Sequence, residues 1–302
     1  MADLRTDSVT TKPYISLVMC TRNRASSLDR CLQALGKLKA DTPYELVLVD
    51  NGSSDDTAAV LAEFKRQQQT PVVLVSEPRP GLSHGRNAGI KAAKGDIVVF
   101  TDDDCYPAEG FLTAISHCFQ DTSLGFLGGR VLLFDPADLP ITIQTLDRIV
   151  TLPAWTYTQP GLIHGANCAI RREVLDRIGG FDTYLGAGTP CMAAEDTDLM
   201  QRASSAGFLG LYSPDPVVHH HHKRRTPEDE QHILRAYSIS RGAYFLKGLT
   251  SSETRRLYYW PVFKRLCGHF AYFRFMTLFQ ECEGAFNYWR SGACPDNRRA
   301  SR

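Results

Sequence analysis

The sequence predicts an α/β fold with a mostly parallel central sheet flanked by helices. Over the first hundred residues, short apolar runs rich in β-branched residues alternate with amphipathic helical segments, which is the pattern of βαβ units. The runs are continuously apolar, as strands covered on both faces must be. Polar residues then cluster where the runs end, and open α/β sheets bind ligands at the carboxyl ends of their strands.

The first strand is 15-ISLVMC-20. In 28-LDRCLQALGKL-38, residues Leu28, Cys31, Leu32, Leu35 and Leu38 fall at helical spacing. The strand 46-LVLVD-50, the helix 57-TAAVLAEFKRQ-67, the strand 72-VVLVS-76 and the helix 87-NAGIKAAK-94 follow, and 97-IVVFTDDD-104 ends in three carboxylates. In the second half, 126-FLGGRVLLF-134 and 163-IHGANCAIRR-172 read as strands with glycine kinks. The segments 173-EVLDRIGGF-181 and 195-EDTDLMQRASSAG-207 read as helices with glycine stops. A strand over 211–222 approaches a loop, and 228–248 is helical. The tail, 255–290, is crowded with aromatic and basic residues, and Pro261 and Gly268 are expected to break it into shorter helices.

With 302 residues and 43% hydrophobic content the chain can bury a sizeable core. Its net charge of +1 argues against a nucleic-acid protein relying on bulk charge. The nine cysteines form no CxxC pair and suggest reduced thiols. The polar N-terminus lacks a signal-peptide core, and no run approaches the roughly 18 apolar residues of a spanning helix. The expected location is cytoplasmic, with peripheral contact at the inner face of the membrane left open. Neither GxGxxG after the first strand nor a P-loop is present.

Four stretches carry candidate chemistry. Asp102, Asp103 and Asp104 repel one another unless a cation sits among them, and hard oxygen ligands suit Mg²⁺ or Mn²⁺. Helix capping is the competing account. In 50-DNGSSDDT-57, capping explains Ser53 to Asp56 and leaves Asp50 as a candidate acceptor for a nucleotide's N–H or hydroxyl groups. Arg86, in a glycine-bracketed loop, is either a surface residue or a planar donor for a base or phosphate. Glu195 and Asp196 open a helix where acids are favoured by the dipole, yet they also supply a metal-free carboxylate fit for a general base. They follow the small-residue stretch 185-LGAGTPCMAA-194, of a kind that closes over ligands.

Taken in order, 21-TRNR-24, 50-DNGSSDD-56, 83-SHGRNAGI-90, 99-VFTDDDCYP-107, 165-GANCAIRREVLDRIGGFD-182 and 195-EDTDL-199 resemble the family 2 glycosyltransferases of the GT-A fold. That fold has a Rossmann-like sheet. The resemblance covers residues 14 to 248 and implies an inverting, nucleotide-sugar-dependent enzyme. It implies that Thr21, Arg22 and Asn23 line the nucleotide pocket and that Asp50 holds the base, usually uracil, with Arg86 nearby. Asp102 falls near the ribose, Asp103 among the nucleotide-sugar contacts, and Asp104 on the metal that bridges the donor diphosphate. Gly165 and Asn167 match the segment lining the sugar site. Asp196 matches the general base and Glu195 a substrate contact. The resemblance also implies a metal-binding histidine after the base-bearing helix. In 217-VVHHHHKRR-225, strand alternation puts His220 and His222 on one face with Val218, His220 being the first choice of ligand and His222 the second. Lys223, Arg224 and Arg225 face the donor diphosphate, an anionic acceptor or solvent.

The expected organisation is a flexible 1–13, a glycosyltransferase domain over 14–248 (14–106 nucleotide-binding, 107–248 acceptor and catalytic) and a helical extension over 249–302. The extension reads as an amphipathic pair on a membrane surface, as helices packed on the domain, or as a homodimer interface through 255–290. The partners implied are a nucleotide-sugar donor and an acceptor whose identity the sequence leaves open. A nucleotidyltransferase on a similar sheet would want a glycine-rich loop after the first strand, where CTRNRASS is glycine-free. A sugar-nucleotide-binding protein without turnover would lack the base or the metal acids, and both are present.

Overall fold

The computed structural model describes residues 14–294; the expected flexible stretch 1–13 and residues 295–302 lie outside the described residues. The elements run β1 (Ile15–Thr21), α1 (Asp29–Gly36), β2 (Tyr44–Asp50), α2 (Thr57–Gln67), β3 (Val72–Ser76), α3 (Leu82–Ala92), β4 (Ile97–Asp102), β5 (Cys105–Pro107) and α4 (Phe111–Cys118). There follow β6 (Leu124–Leu133), β7 (Val150–Leu152), a 3₁₀ turn over Gly165–Asn167, β8 (Cys168–Arg171), α5 (Arg172–Ile178), α6 (Glu195–Ser205), β9 (Leu209–His220), α7 (Pro227–Thr250), α8 (Arg255–Ala271) and α9 (Phe275–Arg290).

The strands form one mixed sheet in the order β3-β2-β1-β4-β8-β6-β9-β5, with β7 against β9. β3, β2, β1 and β4 are parallel to their neighbours, whereas β8 runs antiparallel between β4 and β6. The single sheet passes through the expected division at 106/107, which falls inside β5. Two apolar clusters cover its faces. Leu17 and Met19 join Leu32, Leu35 and Phe111 on one side, and Val18 and Val49 join Phe100 and Phe126 on the other. This is why the strands read as unbroken apolar runs.

Two expectations are corrected. α3 starts at Leu82, five residues ahead of the expected helix, because Gly81 at φ +123° turns the chain straight into it while Asn51 Oδ1 accepts the Gly81 N–H (3.0 Å). Arg86 therefore stands on a helix rather than in a loop. In the tail, Pro261 and Gly268 both lie within α8. Pro261 removes one backbone donor without ending the helix, which continues to Ala271. The chain breaks instead at Tyr272–Arg274, where Phe273 takes φ +51°.

α7 is begun by a capping box, in which Thr226 and Asp229 exchange bonds with each other's backbone N–H. α9 crosses α7 at glycines. A Cβ on Gly242 would lie 1.7 Å from the Glu281 carbonyl oxygen, and one on Gly284 1.7 Å from that of Ile239. Lys247 of α7 anchors the pair to the sheet domain through Asp182 (2.6 Å) and Asp198 (2.7 Å), and the Tyr288 hydroxyl of α9 donates to Asp182 (2.8 Å).

Candidate active site

The ends of β1 and β4, the start of α6 and the end of β9 open on one cleft of about 510 Å³. Thr21, Arg22, Arg86, Asp102, Asp103, Asp104, Gly165, Glu195, Asp196 and His220 line it, joining residues up to about 200 positions apart. Parallel register explains part of this, since Cys20 pairs with Asp102 across β1 and β4 and Thr21 with Asp50 across β1 and β2.

Arg86 is the hub. It is fully buried, donates Nη1 to Glu195 Oε1 (2.7 Å) and Nη2 to Asp102 Oδ1 (2.8 Å), and lies over the Phe181 ring. Burial opposes its charge, but Asp102 and Glu195 outweigh burial and push its pKa up. Burial and then the neighbouring Asp196 carboxylate raise Glu195 to about 7, with Arg86 offsetting only part of the rise. The two adjacent acids thus differ in environment. Glu195 is locked inward, whereas half-buried Asp196 faces the cleft, its Oδ2 accepting the Gly165 N–H (2.8 Å) and its Oδ1 the Thr197 N–H (2.6 Å). Ala194 holds the left-handed conformation (φ +73°) that starts α6 at this angle. For a residue with a Cβ this costs roughly 1–3 kcal/mol, the strain typical of functional sites.

The three aspartates also have separate tasks. Burial raises Asp103 to about 6 despite a hydrogen bond donated by Thr21 Oγ1 (2.7 Å) and Arg24 nearby (3.6 Å). Asp104 is half-buried, and desolvation opposes its charge, but His220 outweighs this and holds its carboxyl below the ordinary range. The Nε2 of His220 lies 3.4 Å from Asp104 Oδ1. Its Nδ1 lies 3.2 Å from the Thr142 carbonyl. Burial opposes a proton on this ring, but Asp104 outweighs burial and raises the His220 pKa, so Nε2 shares a proton with the carboxylate; a metal ion held by the two would take that proton's place. Cys105 Sγ is close to both, but its thiol is buried in the core, and burial followed by the charge of Asp104 pushes its pKa well up. It stays protonated beside a carboxylate–imidazole pair.

Strand alternation holds through the histidine run. Val218, His220 and His222 are buried on one side, while His221 meets the Tyr106 hydroxyl on the other (3.0 Å). Four expected residues nevertheless lie outside the cleft wall. His222 uses both ring nitrogens on backbone, Nε2 toward the Leu139 carbonyl (3.1 Å) and Nδ1 accepting the Arg224 N–H (3.0 Å), so no lone pair remains for a metal. Asp50 accepts the Ser53 N–H (3.0 Å), and Asn51 lines the cleft in its place. Asn23, at φ +51°, accepts the Ser54 N–H in the turn before α2. Asn167 donates to the Arg130 and Pro216 carbonyls (2.8 and 3.0 Å), joining β6 to β9. In each case a backbone group claims the polar side chain, next door in sequence for Asp50 and tens of residues away for Asn23, Asn167 and the Nε2 of His222, which residue type alone does not reveal.

The structure also adds residues. The Nη1 of Arg224, in the cleft wall, is buried with no hydrogen-bond partner among the described residues. Of its neighbours, Arg225 is bound to Asp135 and Asp138, and Lys223 is exposed at φ +58°. A second hollow, of about 330 Å³, adjoins Asp196 and is walled by His164, Tyr237, Arg241 and Tyr244. Tyr237 and Tyr244 sit on α7, whose role no local motif announces.

The fold and cleft define an α/β protein with a polar cleft at the carboxyl ends of parallel strands. Residues 16–179, more than half of the chain, match the model of "Glycosyl transferase family 2", and the chain belongs to that family. Among curated relatives, the glycosyltransferase AglE of Haloferax volcanii is 24% identical over 209 residues, 68% of this chain and 66% of its own length. The pre-mycofactocin glycosyltransferase of Mycobacterium tuberculosis is 26% identical over 215 residues, 68% of this chain and 42% of its own. The chain spans less than two thirds of the length of these relatives. A mannosyltransferase from Pyrobaculum calidifontis, solved with GDP-Man and Mn²⁺, superposes with a TM-score of 0.61 at 23% identity over 95% of this chain and 76% of its own. S. aureus TarS 1–349 with UDP-GlcNAc gives 0.55 at 20% identity over 75% and 66%. The fold is thus the GT-A fold.

Proposed function

We propose that the protein is an inverting glycosyltransferase that moves a sugar from a nucleoside-diphosphate sugar to an acceptor hydroxyl. The observation that carries this is the meeting of Asp102–Asp104, His220 and Arg224 with Asp196 in one cleft. The nucleotide lies along Thr21, Arg22 and Asn51, and the base is uracil, as the family resemblance implies. Asp104 and His220 would hold Mn²⁺ or Mg²⁺, a carboxylate and an imidazole Nε2 that face each other being a donor pair that fits such an ion once their shared proton is released. When bound, the metal offsets charge on the leaving diphosphate. Arg224 supplies a second cation there, its unpartnered Nη1 being the donor that a phosphate oxygen satisfies.

Asp196 accepts the proton of the acceptor hydroxyl as its oxygen attacks the anomeric carbon. The bonds from Gly165 and Thr197 fix its carboxylate in position. The carbon–oxygen bond to the diphosphate breaks on the opposite face, so one displacement inverts the anomeric configuration. The acceptor enters through the hollow beside Tyr237 and Tyr244. A binding protein without turnover has no use for a positioned base next to the metal pair.

The test is a nucleotide-sugar panel assayed for transfer and hydrolysis with Mn²⁺ and Mg²⁺, comparing wild type with Asp104→Ala and Asp196→Asn. Both variants lose turnover. Only Asp104→Ala also loses metal-dependent nucleotide binding in calorimetry, where UDP competes better than GDP. Unchanged turnover in both would refute the proposal.

A further inference from the structure

The α8–α9 hairpin holds twelve of the nineteen large hydrophobic side chains that are exposed among the described residues, far more than its share of the chain. Such clustering marks an interaction surface, whereas single exposed apolar residues do not. On α8, Arg256, Trp260, Phe263 and Phe270 recur at intervals of three, four and seven residues and form one outward stripe. On α9, Phe275, Phe279, Phe286 and Trp289 do the same. The stripes join at the hairpin tip, where Phe275 meets Phe270 (6.1 Å between centroids) and Phe273 (6.2 Å). Phe273 itself is 80% exposed.

The charges select the occupant. Residues 255–290 contain six Lys or Arg and two acids, Glu281 and Glu283. Both acids are engaged by arginines, Glu281 by Arg241 and Arg265 and Glu283 by Arg235. Arg255, Arg256, Lys264, Arg274 and Arg290 are exposed, so the aromatic face is rimmed by positive charge. A second copy of the chain docked through the same face would bring two positively charged rims together, since a two-fold interface uses the same patch on both subunits. An anionic bilayer complements them, and Trp and Tyr suit its headgroup region, where one side of the ring is wet. No helix among the described residues is long and apolar enough to cross a membrane, so contact is made by lying on the surface.

We infer that the α8–α9 hairpin is a docking surface for the face of an anionic phospholipid bilayer. The hairpin's inner side packs on α7, which carries Tyr237 of the cleft wall, so docking sets the cleft at a fixed position relative to the membrane. The inference does not depend on the glycosyl-transfer reading, and its test uses neither donor nor acceptor.

The full chain is floated with phosphatidylcholine vesicles, either neutral or with about 30 mol% phosphatidylglycerol, at roughly 0.1 M and 0.5 M salt. It is expected to float with the anionic vesicles at low salt and at least about tenfold less with neutral ones or at high salt. Two combined variants, Trp260→Ser/Phe263→Ser/Phe279→Ser and Arg256→Glu/Lys264→Glu/Arg274→Glu, each reduce flotation at least about tenfold. Their circular dichroism melting is that of wild type, because all six positions are exposed. In a Trp155→Phe background, brominated lipid quenches the remaining Trp260 and Trp289 fluorescence. Absence of flotation, equal flotation with neutral vesicles, or full flotation of either combined variant overturns the inference. So does a dimer in sedimentation velocity that the aromatic variant dissociates, which would give the face to a second copy.

Discussion

The cleft and the α8–α9 hairpin handle costly groups in opposite ways. The cleft buries charge and pairs nearly all of it, with Arg86 between two carboxylates, Asp103 bonded by Thr21 and Asp104 beside His220. The hairpin turns its acids inward onto arginines and leaves its aromatics in water. A buried charge without a partner destabilises the fold, and among the described residues of the cleft wall one buried guanidinium nitrogen, Arg224 Nη1, has no hydrogen-bond partner. An exposed aromatic costs the fold little. The two regions therefore divide stability from binding differently: in the cleft the same residues serve both, whereas on the hairpin binding surface and fold are separable.

This contrast can be broken at several points. The largest effect is expected from Arg86→Ala, which leaves Glu195 buried beside Asp102 and costs roughly 3–5 kcal/mol in urea unfolding, together with turnover. Asp196→Asn should lower turnover about 10³-fold, equivalent to about 4 kcal/mol in the barrier, with unfolding unchanged. Equal losses in stability and turnover there would make Asp196 structural.

Glu195 gives a pH test. Its folded pKa, about 7, lies above the ordinary 4.5. The protonated form is therefore favoured by folding, and the associated stability is full below about pH 4.5 and lost as pH rises through about 7. Relative to Glu195→Gln, wild type should lose roughly 3 kcal/mol of stability across that window, read from melting curves. Arg224→Met should weaken nucleoside-diphosphate binding about tenfold without moving the melting temperature, equivalent to about 1.4 kcal/mol. The smallest effect is on the hairpin, where Phe263→Ser should change unfolding by less than about 0.5 kcal/mol. A larger loss would show that the face supports the fold.

Much of this organisation is legible in the sequence. Buried parallel strands demand unbroken apolar runs, and β1 through β4 are found where those runs lie. The order of TRNR, DDD and ED, together with the alternation of the histidine run, places Thr21, Asp102 to Asp104, Asp196 and His220 on one cleft. Choosing between neighbours of the same chemistry is another matter. The resemblance ranks Asp196 as base over Glu195 and His220 ahead of His222, but Asp50 or Asn51 and Arg224 or Arg225 differ only in which backbone groups and counter-charges the fold brings to them. Leu139 and Arg224 occupy His222, and Asp135 and Asp138 occupy Arg225. Short-range pattern sets periodicity and hence the faces of strands and helices. The availability of a polar group is set by long-range contacts, so only the tertiary structure decided that Asn51 rather than Asp50, and Arg224 rather than Arg225, lines the cleft, and that both ring nitrogens of His222 are taken.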